Sequence, residues 1–180
     1  MPMASDRLGL IAGNGRFPVL FTDAARRQGF EVHVVAHEGE TDAAALAEVA
    51  STITWVKLGQ IDRIRSAFVQ RGVDVAVMAG GIGRIQSLTL ARPDVGALRI
   101  VAGMRSLRDD EVLRALACYF ESHGIRIAAP TDYVRSVLAT SGHLAGPKLS
   151  AAQERDVELG REVAARLGLA DVGQTVVVKN

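Results

Sequence analysis

Apolar runs of strand length alternate along this chain with stretches of helical period. Most of the runs are nearly continuous in Val, Ile, Leu and Ala, which is typical of strands covered on both faces of a parallel sheet. They occupy residues 8–12, 31–36, 53–58, 74–79 and 125–128. Strand and helix in regular alternation is the pattern of βαβ units. The sequence therefore predicts an α/β fold, a Rossmann-like doubly wound and mostly parallel sheet with helices on both faces.

Helix signals stand between these runs. Apolar residues recur at helical spacing, and the expected terminal residues flank them, with Pro in a first turn and Gly just past an end. Helices are predicted over residues 18–28, 61–72, 109 to about 123, and 150–168. In the last of these, Ser150 and Gln153 form a capping box, and Gly168 takes the left-handed position at the helix end.

The last ten residues predict a turn and then a strand over residues 176–178, which has no partner in the sequence. Two interpretations stay open, a terminal edge strand or the start of a second domain.

Composition excludes several classes of protein. Twenty-one basic residues against 20 acidic ones give a net charge of +1, so there is no global electrostatic reason to bind nucleic acid. The single cysteine, Cys118, excludes an internal disulfide framework and a Cys-rich zinc site, and favours a cytoplasmic protein. The first apolar run is too short for a signal peptide or a membrane span.

A glycine-rich segment directly follows the first predicted strand. Gly13, Asn14, Gly15, Arg16 and Phe17 place backbone N–H groups and a helix N-terminus at the carboxyl edge of the sheet, where phosphate binds well. The dinucleotide-binding fingerprint is incomplete, because its third glycine is missing. A tight turn without a ligand is the alternative interpretation.

A second glycine cluster follows the fourth predicted strand. Gly80, Gly81 and Ile82 are expected to share one crevice with the first loop, as neighbouring strand ends do at a switch point. Arg84, together with Arg16, is a candidate contact for a diphosphate; the alternative for each arginine is a solvated surface residue.

Other polar side chains at predicted strand ends are weaker candidates. Glu38 stands where a ribose-binding acid is found in dinucleotide-binding folds. Thr131 and Asp132 follow the last predicted strand and are candidate ligand contacts.

Clustered carboxylates at Asp109, Asp110 and Glu111 suit a hard cation such as magnesium, with Asp109 and Asp110 as the candidate ligands. The same residues also suit the start of a helix, because Ser106 stands three residues before Asp109 and acids in a first turn complement the helix dipole. We favour the capping interpretation.

Two other kinds of site find no support in the sequence. The four histidines, at positions 33, 37, 123 and 143, have no metal-ligand spacing, so ordinary structural roles are expected for them. No G-x-S-x-G elbow is present, and a covalent nucleophile is therefore not predicted.

Four segments in order resemble the LpxI family over essentially the whole chain. They are LGLIAGNGRFP at residues 8–18, AGG at 79–81, RDDEVL at 108–113 and LADVGQ at 169–174. The resemblance implies a UDP-2,3-diacylglucosamine pyrophosphatase of lipid A biosynthesis, which yields UMP and lipid X with a divalent cation, Mg²⁺ being expected. It also implies a UDP-linked lipid substrate and a cytoplasmic location, with peripheral contact at the inner membrane and the oligomeric state left open.

Members of that family have two domains with the substrate between them, and this chain resembles the first. The resemblance implies that residues 1–170 form a Rossmann-like substrate-binding domain and that residues 171–180 begin a C-terminal catalytic domain. The resemblance implies that residues 13–17 form one wall of the substrate site and residues 80–82 a second. Thr131 is added to these substrate-binding candidates because of its position after the last predicted strand. The family's acidic catalytic segment is expected after the strand that begins at Val176, and none stands before Asn180. We therefore expect this chain to bind substrate without turning it over and to hold no catalytic residue of its own.

Two alternatives remain. One is a non-catalytic nucleotide-binding or regulatory module, and the other is an NAD(P)-binding oxidoreductase domain, which the missing third glycine disfavours.

Overall fold

A computed structural model of the chain describes residues 6–82, 92–104, 109–170, 172–173 and 175–179. The chain divides into two compact units, residues 1–138 and residues 139–180. The expected domain limits at residues 170 and 171 stay a prediction.

The first unit is built on five parallel strands in the order β3-β2-β1-β4-β5. Their bounds are β1 (Arg7–Ala12), β2 (Glu31–His37), β3 (Thr52–Val56), β4 (Val75–Ala79) and β5 (Arg126–Ala128). Each predicted run is a strand to within two residues at either end. The helices among the described residues of this unit are α1 (Phe17–Arg27), α2 (Ala43–Ala47), α3 (Ile61–Gln70), α4 (Val95–Gly103), α5 (Asp109–Glu121), α6 (Pro130–Tyr133) and a 3-10 helix (Arg135–Val137).

Side chains alternate across β1, and the two faces of the sheet carry separate apolar clusters. Leu8 and Leu10 belong to a cluster that includes Phe21 of α1. Ile11 packs against the other cluster, which includes Phe68 of α3 and Phe120 of α5. Helices therefore cover both faces, and the prediction of a doubly wound parallel sheet is confirmed.

Gly9 lies in the middle of β1, where a side chain would not fit. A Cβ atom there would stand 2.9 Å from both Phe68 Cε1 and Val73 Cγ1, and 3.0 Å from Ala76 Cβ. The missing side chain lets the Phe68 ring pack directly on the central strand.

The sequence did not predict α2, α4, α6 or the 3-10 helix, and two of these, α2 and α4, begin at an aspartate. The Asp42 carboxylate accepts hydrogen bonds from the N–H groups of Ala44 and Ala45 at the start of α2. Asp94 accepts from the N–H group of Ala97, at 3.0 Å, at the start of α4. Helix α2 is too short to show a period, and α4 is apolar except for Arg99, so neither produces a clear amphipathic stripe.

The second unit contains α7 (Ala151–Ala170). Its predicted capping box is confirmed: Ser150 N donates to Gln153 Oε1 at 2.9 Å, and Gln153 N donates to Ser150 Oγ at 3.3 Å. The prediction for Gly168 is wrong, since α-helix continues to Ala170 and Gly168 does not have a positive φ.

The strand predicted over residues 176–178 is also wrong, because a strand needs a hydrogen-bonding neighbour and no described residue pairs with this segment. No helix in the described ranges is long and apolar enough to cross a membrane.

Candidate functional site

The carboxyl ends of β1 and β4 lie side by side at the point where the strand order reverses. Strand β1 pairs with β2 on one side and with β4 on the other. Open α/β sheets bind ligands in the crevice that forms at such a place. The two predicted glycine loops both begin here.

Backbone hydrogen bonds join the two loops to each other. Gly13 N donates to Ala79 O at 2.9 Å, Asn14 N donates to Gly81 O at 2.7 Å, and Gly81 N donates to Asn14 O at 3.3 Å. Asn14 and Gly81 thereby form an antiparallel bridge beyond the ends of their parallel strands. The N–H groups of Gly13 and Asn14 are occupied by the protein itself.

Glycine is needed at two of these positions for contact between the loops. A Cβ atom on Gly13 would overlap the Gly81 carbonyl oxygen. At Gly80, where φ is +90°, a Cβ atom would stand 2.5 Å from the Asn14 carbonyl oxygen. Gly15 differs, because it has a φ of +83° and no atom within 4 Å of the place a Cβ would take.

Helix α1 begins without a side-chain cap. Its N-cap residue, Arg16, makes no capping hydrogen bond, and no acidic residue stands in the first turn. Within the described ranges, no atom accepts a hydrogen bond from the backbone N–H groups of Gly15, Arg16 or Phe17, and all three residues are exposed. Free amide donors at the positive end of a helix dipole are suited to an anion such as phosphate.

The segment after β2 is tied to the end of β1. The Ala12 carbonyl oxygen accepts from Thr41 Oγ1 at 2.9 Å and from His37 Nδ1 at 3.0 Å. His37 N in turn donates to Thr41 Oγ1 at 3.1 Å. The side-chain amide of Asn14 donates to Glu40 Oε2 at 2.9 Å, so the segment after β2 also binds the first glycine loop.

A cleft of about 150 Å³ opens beside the loops, on the face of the sheet covered by α3 and α5. Its walls are mostly apolar, and three predicted site residues, Gly13, Gly80 and Ile82, belong to them. The remaining wall residues are Ile11, His37, Leu58, Gly59, Ile61, Ile64, Met78, Ala79, Leu113, Leu116 and Phe120. His37 was not predicted here. Its position as the last residue of an apolar strand could have indicated that it lies at the carboxyl edge of the sheet.

The weaker candidates follow other strands of the sheet. Thr131 and Asp132 are in α6, directly after β5, which is the neighbour of β4 in the sheet. Glu38 follows β2, and its carboxylate stands 4.0 Å from Lys57 Nζ. Arg84 lies outside the described residues.

Asp109 and Asp110 begin helix α5, and their side chains lie outside the described part of the structure, as does Ser106. The choice between helix cap and metal ligand stays a prediction. No group of three or more His, Cys, Asp or Glu side chains that could hold a metal ion is found among the described residues. Mg²⁺ takes several oxygen ligands, so the described residues do not by themselves form a magnesium site.

An aspartate cluster joins the helices next to the cleft. Asp62 Oδ2 accepts from Gly96 N at 2.8 Å, Asp94 Oδ2 accepts from Asp62 N at 2.7 Å, and Tyr119 donates its hydroxyl to Asp62 Oδ1. The Tyr119 hydrogen bond is the main reason that the pKa of Asp62 lies below its ordinary value, with further lowering from the Gly96 N–H and from Arg65. Burial, followed by the bond to Asp62, raises the pKa of Tyr119.

The family model of the LpxI N-terminal domain matches residues 7–137, which is the part of the chain that holds the sheet and both loops. The chain belongs to this LpxI family. Over 177 residues it is 27% identical to the UDP-2,3-diacylglucosamine pyrophosphatase LpxI of Caulobacter vibrioides, covering 96% of this chain and 61% of that relative. The resemblance to LpxI expected from the four segments is confirmed.

The chain thus spans about three fifths of the length of this LpxI relative. Among solved structures, the crystal structure of gox2253 is similar over 69% of this chain and 33% of that chain, with 18% identity and a TM-score of 0.42.

Proposed function

We propose that this chain is the nucleotide-binding part of a UDP-2,3-diacylglucosamine diphosphatase, which hydrolyses a UDP-linked lipid to UMP and lipid X. The observation that carries the proposal is the uncapped N-terminus of α1 beside two bridged glycine loops at the switch point of the sheet. Membership of the LpxI family supports the substrate class and disfavours the oxidoreductase alternative.

The chain's own part in the reaction is to hold and orient the diphosphate. The N–H groups of Gly15, Arg16 and Phe17 bind phosphoryl oxygens, and the exposed Arg16 guanidinium adds positive charge near them. In the reaction, the oxygen of a water molecule bonds to one phosphorus and the bridging P–O bond breaks, which leaves two phosphate monoesters. Fixed donors stabilise the negative charge that develops on those oxygens.

The chemical step itself is proposed to need more than this chain. We propose that it binds substrate but does not turn it over, and that the acidic segment implied by the family resemblance carries out the hydrolysis. A divalent cation, Mg²⁺, is part of this proposal for the two-domain protein, and we assign none of its ligands to the residues described here. We also propose a cytoplasmic location, at the inner membrane where the lipid substrate lies.

Calorimetric titration of the 180-residue chain with UDP tests the binding step. We expect saturable binding that Arg16→Gln weakens about fivefold, the effect of losing roughly 1 kcal/mol of exposed charge interaction. Arg27→Gln, at the other end of the same helix, is the matched control and should leave the dissociation constant unchanged. Failure of the wild-type chain to bind UDP would refute the proposal.

An assay of UMP release from UDP-2,3-diacylglucosamine tests the catalytic step. With Mg²⁺ present, the chain should release UMP no faster than a blank without protein. A version extended through a second domain should be active and should lose its activity in excess chelator. Turnover by the 180-residue chain would contradict the proposed division between binding and catalysis.

A further inference from the structure

We propose that the cleft beside the glycine loops binds the uracil ring of a uridine nucleotide, and that His37 selects uracil over cytosine. This inference rests on the proposed function and extends it, because it locates the base and names the residue that distinguishes it.

The size of the cleft limits what it can hold. Apolar walls that include Leu58, Ile64, Leu116 and Phe120 enclose about 150 Å³. A dry cavity of about that volume, lined by the same residue types, takes a single benzene ring in another protein. One six-membered ring therefore fits.

His37 supplies a hydrogen-bond acceptor in this apolar surface. The side chain is nearly buried, with the residue 4% exposed, and it belongs to the wall of the cleft. Its Nδ1 bonds to the Ala12 carbonyl oxygen, which can only accept, so Nδ1 carries the proton of the neutral ring. Nε2 is then an acceptor, and it has no hydrogen-bond partner among the described residues.

The neighbouring residues hold the ring in this orientation. Thr41 Oγ1 accepts from His37 N and donates to the same Ala12 oxygen, which fixes the backbone and the acceptor of the imidazole together. A preorganised acceptor in an apolar site favours a ligand that brings a donor, because an analogue without one leaves the acceptor unpaired.

Uracil meets both requirements. It is a six-membered ring with a donor N–H at N3, whereas the N3 of cytosine carries no hydrogen. The phosphates of the same nucleotide have a site close by, since Gly13 in the cleft wall precedes Gly15 by two residues, a span of at most about 7 Å. A base in the cleft and phosphates at the start of α1 are therefore compatible with one bound nucleotide.

The test compares binding of UMP, CMP and 3-methyl-UMP to the 180-residue chain by calorimetry. Wild type should bind UMP about tenfold more tightly than either analogue, the effect expected for one hydrogen bond. His37→Phe should reduce this preference to about twofold or less, because phenylalanine offers no hydrogen-bond acceptor. His143→Gln, an exposed histidine of the second unit, is the control and should keep the preference. The ¹⁵N resonance of His37 Nε2 should shift with UMP and not with 3-methyl-UMP.

The outcomes separate this inference from the proposed function. If wild type binds UMP and CMP equally, the base site is wrong and the phosphate site is unaffected. The same conclusion follows if a folded His37 variant keeps the full preference for UMP. Absence of binding by any of the nucleotides overturns both. Melting temperatures show whether each variant is folded, and the comparison of ligands on wild type needs no variant.

Discussion

Gly9, Gly13 and Gly15 lie close together in sequence, yet each is glycine for a different physical reason. At Gly9 a side chain would meet Phe68 and Val73, and at Gly13 it would meet the backbone of the second glycine loop. At Gly15 the surroundings are empty, and the positive φ is the requirement. Substitutions at these positions should therefore fail in different ways.

Gly9→Ala should destabilise the fold by about 1–3 kcal/mol, because the added methyl group overpacks a close contact in the sheet. Gly103→Ala is the matched control, since Gly103 ends α4 and has nothing within 4 Å of its Cβ position. That change should be neutral or slightly stabilising. Denaturant unfolding gives both values, and equal stability of the two variants would contradict the overpacking argument.

Gly15→Ala should cost about 1 kcal/mol through backbone strain alone, because its φ is +83° and no atom is near. Gly15→Asn should cost less, since Asn tolerates the left-handed region better. Unfolding free energies of the pair measure this difference. If Ala and Asn cost the same, the conformational explanation is wrong.

Gly15→Val tests the predicted phosphate role at the same position. We expect the dissociation constant for UDP to rise by more than the loss of folded protein explains, because a branched side chain blocks approach to the amide donors. Titration at a temperature where the variant is fully folded makes the comparison. Unchanged affinity would support the alternative of a turn without a ligand.

At the scale of elements, an aspartate at the start of α3 and another at the start of α4 each cap the other helix. Asp94 bonds to the N–H groups of Asp62 and Ala97, and Asp62 bonds to that of Gly96, so each helix start helps to satisfy the other. Backbone N–H groups at helix starts otherwise lack partners. The two helices should therefore lose structure together when either aspartate is removed.

This cluster predicts a pH dependence of stability. The pKa of Asp62 lies below its ordinary value of 3.8, so the unfolded chain binds the proton at higher pH than the folded chain does. The stabilisation is complete above that ordinary value and is lost as pH falls through the folded pKa. Tyr119→Phe removes the main cause, and should move the acid unfolding midpoint to higher pH.

Tyr133→Phe is the control for that experiment. The Tyr133 hydroxyl accepts a hydrogen bond from Arg126 at 3.0 Å, away from the aspartate cluster. Unfolding free energy measured from about pH 6 to about pH 2 covers the range in which a carboxyl group of lowered pKa titrates. Identical midpoints for wild type and Tyr119→Phe would show that the hydroxyl does not set the pKa of Asp62.

Local sequence patterns predicted the larger elements well and missed contacts between distant segments. All five strands were predicted because burial on both faces leaves continuous apolar runs. The position of the two glycine loops at one edge of the sheet was predicted from the strand pattern. The bridge between Asn14 and Gly81 was not predicted, because it joins residues far apart in the sequence. His37 was missed for the same reason, since its role depends on the Ala12 carbonyl of another strand.

At the scale of the whole molecule, the sheet and both apolar clusters lie within residues 1–138. A fragment of these residues should fold without the second unit and bind UDP as the 180-residue chain does. Circular dichroism should show a single cooperative transition, with the helical signal reduced by the contribution of α7. A fragment without cooperative unfolding would contradict this expectation.

Strand β1 is the centre of the sheet, with Gly9 paired to His33 on one side and to Ala76 on the other. During synthesis β1 leaves the ribosome first, and β2 soon covers one of its edges. The other edge of β1 stays unpaired until β4 has been synthesised. A nascent sheet with an open apolar edge is a target for chaperones and for aggregation, so expression should be sensitive to translation rate and temperature.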